Sequence, residues 1–106
     1  MELYKVETTE FFELDLAKHL KYVSFVLNAP IAAKNILSEI RQIGETLSTM
    51  PYRYPLFEDD YLNERKYRKC VIKNMIIFYQ VIEKEKIVCL HRILHSNQDW
   101  ITMLLE

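Results

Sequence analysis

Residues 70–94 read CVIKNMIIFYQVIEKEKIVCLHRIL. Three runs rich in β-branched and aromatic side chains, Cys70 to Ile72, Met75 to Ile82 and Ile87 to Leu94, are separated only by Lys73-Asn74 and by Glu83-Lys84-Glu85-Lys86. Runs of this length and composition are strands, and reversals this short force antiparallel neighbours. The C-terminal half therefore predicts a three-stranded meander. Its middle run, MIIFYQVI, is almost wholly apolar, the pattern of a strand covered on both faces or nearly so.

The cover comes from upstream. Leu3, Tyr4 and Val6 begin a short strand that stops at Thr8-Thr9, where either hydroxyl can cap a helix. Phe12, Leu16, Leu20, Val23 and Leu27 then recur in steps of 4, 4, 3 and 4, one face of an amphipathic helix over 11–27. Asn28-Ala29-Pro30 interrupts it, and Pro30 suits the first turn of a second helix. Ala33, Ile36, Ile40, Ile43 and Leu47 give that helix its own stripe, and Pro51 ends it. Two helices of roughly 18–20 residues joined by about two must lie antiparallel. Residues 51–66 hold two prolines and no period and read as a loop, while Asp99 to Leu105 suits one short helical turn. The expected architecture is α+β, order β-α-α-β-β-β, an antiparallel sheet packed against an N-terminal helical hairpin.

The chain has 106 residues, which makes one domain over 1–106. Half of its residues are apolar and 12% aromatic, so it folds rather than staying disordered. A chain this short buries only about two-thirds of its unfolded surface, so its apolar stripes must share a core. No apolar run approaches the ~18 residues of a membrane span, and the N-terminus lacks the layout of a signal peptide. The expectation is a cytoplasmic protein without a membrane partner. Cys70 and Cys89 sit inside apolar runs and read as reduced core residues.

Net charge is −1, unevenly spread. Residues 1–60 carry 6 Lys/Arg against 10 Asp/Glu, and residues 61–106 carry 8 against 5. Within 61–73, Arg65, Lys66, Arg68, Lys69 and Lys73 face only Glu64. Such a cluster can hold a polyanion, or simply solvate a strand face. His91 and His95 share one strand face but stand about 13 Å apart, too far to hold one ion, and His19 stands alone on a helix. No metal or cofactor is expected.

The pieces AP-I-AAKNIL, MPYRYPL, YRKCVIKNMIIFYQV and LHRILHSNQDW, in this order from Ala29-Pro30 to Asp99-Trp100, resemble the RelE/ParE superfamily of bacterial type II toxins. The ParE-like, plasmid-stabilisation branch is the better match, on the N-M-I-I-F-Y core and the R-I-L-H segment. The resemblance implies a toxin neutralised by a cognate antitoxin in a hetero-oligomer. It implies two targets: RelE-like members cut mRNA in the ribosome, whereas characterised ParE-like members inhibit DNA gyrase. The leading expectation is a metal-independent mRNA interferase. The alternatives are a non-enzymatic gyrase inhibitor and a non-toxic member acting in promoter autoregulation.

Metal-free RNA cleavage needs a base for the 2′-OH, an acid for the leaving oxygen and cations for the phosphate charge. His95, at the strand end where the family often carries a His or Tyr, titrates near neutrality. Arg92 lies in an apolar strand, so it either emerges at a groove or pairs with a carboxylate such as Asp99. The catalytic candidates are His95, Arg92 and Arg68; the nucleic-acid-binding candidates are Arg65, Lys66, Lys69 and Lys73, with Lys69 and Lys73 expected on one face. Tyr79 reads as packing or as a substrate contact. Two departures weaken nuclease chemistry: Ile76 stands where RelE proper has a catalytic arginine, and Ser96-Asn97-Gln98-Asp99 stands where many nearer relatives have Gly-Arg-Arg-Asp.

Overall fold

The computed structural model describes residues 2–105, with the side chain of Asn63 left out. Strand β1 (Lys5–Thr8) leads into helix α1 (Glu10–Lys21), a single π-helical stretch (Tyr22–Val26) and helix α2 (Pro30–Thr49). Strands β2 (Arg68–Ile72), β3 (Met75–Ile82) and β4 (Ile87–His95) follow, then helix α3 (Trp100–Leu105). The order is the expected one. The sheet runs β1-β4-β3-β2, and the β2-β3-β4 meander is antiparallel. Strand β1 adds to β4 in parallel, so the sheet is mixed rather than wholly antiparallel. The helical hairpin carries the chain from β1 at one edge to β2 at the other, and the meander returns β4 beside β1 in that orientation.

Two cores explain the apolar middle strand. On the hairpin side, Ile77 and Tyr79 of β3 and Val88, Leu90 and Ile93 of β4 pack with Phe12, Leu16, Ile40 and Leu47. On the other side, Ile76 and Phe78 pack with Leu62, Tyr67, Leu94 and Leu104. The loop 51–67 and α3 thus cover the face that the hairpin leaves open.

Thr9 starts α1 as foreseen: its hydroxyl accepts from the Phe12 N–H at 3.0 Å and donates to the His91 carbonyl at 2.6 Å. It therefore caps the helix and ties it to the β4 edge beyond the end of β1. The far end of α1 departs from its stripe. The Leu27 N–H reaches back five residues to the Tyr22 carbonyl, at 3.1 Å. The wider turn keeps Val23 buried and turns Leu27, expected on the inner face, out to solvent. Asn28, with φ 52°, is left-handed and closes the corner before Pro30.

A β-bulge decides the direction of Arg92. Phe78 faces Arg92 and Tyr79 faces Leu90, so His91 is the additional residue. Strict alternation would put Arg92 beside Leu90 on the hairpin core. The bulge shifts the phase, so that Ile93 takes the inward position instead.

Candidate functional site

Arg92 is the most thoroughly anchored cation. Its Nε and Nη2 donate to Asp15 Oδ2 and Oδ1 at 2.7 and 2.9 Å, and Nη1 donates to the Met103 carbonyl at 3.1 Å. The Ile93 N–H adds a bond to the same carboxylate at 3.2 Å. Both side chains are largely buried. Arg92 thereby joins β4 to α1 and α3. The structural alternative holds, but the partner is Asp15 and not Asp99. Asp99 instead accepts the Thr102 hydroxyl at 2.7 Å and starts α3, and that bond holds its carboxyl below the usual range.

Arg68 is likewise occupied. Its Nη1 donates to the Tyr54 carbonyl at 2.7 Å, and its guanidinium lies 4.9 Å from the centre of the Tyr52 ring. It fastens the loop after α2 to β2. Tyr79 is packing: its buried hydroxyl donates to the Pro51 carbonyl at 2.9 Å, and burial pushes its phenol up to about 12. Ile76 is buried on the α3 side of the sheet.

The four proposed phosphate contacts do not form one rim. Arg65 donates to the Leu104 carbonyl at 2.8 Å. Lys69 lies over Trp100, its Nζ 5.3 Å from the ring centre. Both thus approach α3. Lys66, left-handed at φ 55°, opens on a hollow of about 510 Å³ that it shares with Glu58, Asp59 and Asp60. Lys73 turns to the hairpin side, with Nζ 3.9 Å from Glu39 of α2. The expectation that Lys69 and Lys73 share a face fails because Lys73 is itself left-handed, at φ 54°, which breaks the strand alternation.

His95 is half-buried, and it does not stand alone. It lines a groove of about 300 Å³ between α1 and the end of β4, together with Lys18, His19, Tyr22 and Gln98. The Asn97 N–H donates to His95 Nδ1 at 3.2 Å, and the Asn74 side-chain amide lies 3.1 Å from Nε2. Burial, and secondarily the neighbouring His95, hold His19 below the usual imidazole range. Sequence reasoning left His19 isolated. The signal was its place between Leu16, Leu20 and Val23 on the inward stripe, which carries it toward β4. His91 faces elsewhere, its ring edge-on to Tyr67 at 5.2 Å.

Among the described residues no group of three or more His, Cys, Asp or Glu is placed to hold a metal ion. No described helix is long and apolar enough to cross a membrane. Cys70 and Cys89 are free, and burial raises both thiols.

A family model described as the ParE toxin of the type II toxin-antitoxin system, parDE, matches residues 6–100. The chain belongs to this family. Solved structures carry the same fold. One described as the chromosomal ParDE toxin-antitoxin system from P. aeruginosa has a TM-score of 0.69 at 15% identity, over 90% of this chain and 98% of that one. The toxin-antitoxin complex RelBE2 from Mycobacterium tuberculosis gives 0.62 at 18%, over 88% and 98%. A metal-bound toxin from Helicobacter pylori gives 0.58 at 17%, over 88% and 94%. No curated protein sequence matches. In this ParE-family chain Arg92 lines the groove with His95 while held by Asp15 and the Met103 carbonyl, and Arg68 is held by the Tyr54 carbonyl.

Proposed function

We propose that this ParE-family chain is the toxin of a type II pair, held in check by a cognate antitoxin, and that it blocks DNA gyrase by binding rather than by cutting mRNA. The observation that carries this reading is the commitment of Arg92 and Arg68 to internal partners. A guanidinium whose Nε and Nη2 edge closes on a carboxylate and whose Nη1 holds a carbonyl is poorly placed to clamp a phosphate whose charge rises in the transition state, and Arg68 is tied by its Nη1 alone. With Ile76 in the arginine position of RelE proper, the nuclease set is reduced to His95. A toxin that works by occupying its target needs only a surface. This reverses the order in which the sequence ranked the two targets.

The groove with His19 and His95 favours the second reading, ribosome-dependent cleavage, because two imidazoles and Lys18 supply an acid, a base and a cation. Two measurements on the same preparation separate the readings. Purified toxin is expected to inhibit supercoiling by gyrase, and induced cells should show no new mRNA ends within codons. His95→Ala should leave toxicity in place. Normal supercoiling, together with codon-internal ends that vanish in His95→Ala, would establish the nuclease and overturn the gyrase reading.

A further inference from the structure

A hollow of about 560 Å³, the size of a small-molecule site, opens where the N-terminal segment meets the end of α2. It shares no lining residue with the groove that holds His95. Tyr4, Met50, Pro51 and Tyr52 give it largely apolar walls, and Glu2 and Arg53 are its charged members. Both rings are held in place. The Tyr4 and Tyr52 hydroxyls donate to one oxygen, Glu83 Oε2, at 2.5 and 3.1 Å. The bonds from Tyr4 and Lys86 keep the Glu83 carboxyl below its usual range. The Tyr4 N–H is bonded to the Ser48 carbonyl at 2.8 Å, which fixes the backbone behind its ring. Lys86 lies 5.2 Å from the centre of the Tyr4 ring and Arg68 4.9 Å from that of Tyr52, yet neither cation lines the hollow.

We infer that this hollow binds a nucleotide, its base stacked on a tyrosine ring and its phosphate drawn to Arg53. Every base has a π face, and stacking asks for no hydrogen bond from the ring. That suits tyrosines whose hydroxyls are already spent. The charges agree. Lys86 Nζ stands 2.9 Å from both Glu2 Oε2 and Glu83 Oε1, so the two carboxylates are occupied. Arg53 makes no ion pair among the described residues, and a guanidinium matches a phosphate. A cationic ligand, such as a methylated lysine in a tyrosine cage, would meet Lys86 or Arg68 through the ring. A proline-rich peptide would find both hydroxyls taken by Glu83. A free mononucleotide and one unit of a single strand present the same chemistry. The inference stands whichever target the toxin has.

The test uses the full chain, with AMP, adenosine and ribose 5-phosphate as probes. Amide NMR shifts on addition of AMP should fall on residues 2–4 and 49–53, with AMP bound more tightly than adenosine. Arg53→Gln should weaken AMP at least fivefold and leave adenosine unchanged. Tyr52→Leu keeps an apolar side chain without a ring and should weaken both at least fivefold. Tyr52→Phe loses only the hydroxyl and should keep most of the affinity. The same spectra show that each variant is folded. A hexamer of deoxyadenylate bound at these residues tenfold or more tighter than AMP identifies a single strand as the occupant, and any smaller gain identifies the free nucleotide. No shifts with AMP or the hexamer, shifts confined to the groove with His95, ribose 5-phosphate bound as well as AMP, or Tyr52→Leu binding like wild type would each overturn the proposal.

Discussion

Arg92 and Lys34 are both cations on regular elements, and they live in opposite circumstances. Arg92 is 6% exposed, brackets Asp15 and reaches a carbonyl of α3. Lys34 is exposed at the hairpin tip and makes no ion pair among the described residues. The contrast extends to their surroundings. In the strand-rich half, Arg65 and Arg68 satisfy backbone carbonyls and Lys69 lies over an aromatic ring. Along the hairpin, Lys18, Lys21 and Lys34 are exposed, as are Phe25, Val26, Leu27 and Ile31. Local charge density in the sequence is highest over 65–73, where Arg65, Lys66 and Lys73 are exposed, yet Arg65 there also holds a backbone carbonyl. The arginines of this half are taken up by carbonyls that the last turn of α3 and the loop after α2 leave to satisfy.

The sharpest way to break this comparison is to remove Asp15. Asp15→Ala strands a buried guanidinium, and such a loss costs about 3–5 kcal/mol. Urea unfolding should show that drop, and Asp15→Ala/Arg92→Met should recover much of it. A cost below about 1 kcal/mol would mean that Arg92 is free to serve a substrate, and the two regions would no longer differ. A smaller effect is expected at Tyr79. Tyr79→Phe leaves the Pro51 carbonyl without its partner and should cost about 1–3 kcal/mol. The sign with pH is fixed by the raised phenol. Its folded value of about 12 exceeds the usual 10, so its contribution is whole below pH 10 and is lost as pH rises toward 12. Wild type should therefore lose about 2–3 kcal/mol more than Tyr79→Phe between those values. Equal slopes in alkaline urea titrations would refute the assignment.

The parts of the fold that the sequence made legible are those set by local rules. Thr9, Pro30 and the reversals at Lys73-Asn74 and Glu83 to Lys86 place the element boundaries near where they occur, and β3 begins and ends as read. What escaped were shifts of phase by one residue. The bulge at His91 redirected Arg92, the π-helical turn expelled Leu27, and the left-handed Lys73 parted it from Lys69. Periodicity arguments assume constant phase, and each site expectation downstream of a shift inherited the error. Partner choice was hidden for another reason. Asp15 and Arg92 lie 77 residues apart, and no local pattern joins them.

The smallest expected effect sharpens the comparison from the other side. If the tip cations do nothing for the fold, reversing their charge should leave stability nearly untouched. Exposed substitutions away from special geometry fall within about 0.5 kcal/mol, and an exposed ion pair is itself worth at most about 1 kcal/mol. Lys34→Glu should thus unfold within about 0.5 kcal/mol of wild type, whereas Arg65→Ala, which deprives the Leu104 carbonyl of its donor, should lose about 1–2 kcal/mol. A loss at Lys34 equal to that at Arg65 would show that the tip lysine also holds the scaffold. The division between cations that build the protein and cations that remain available to a partner would then fail.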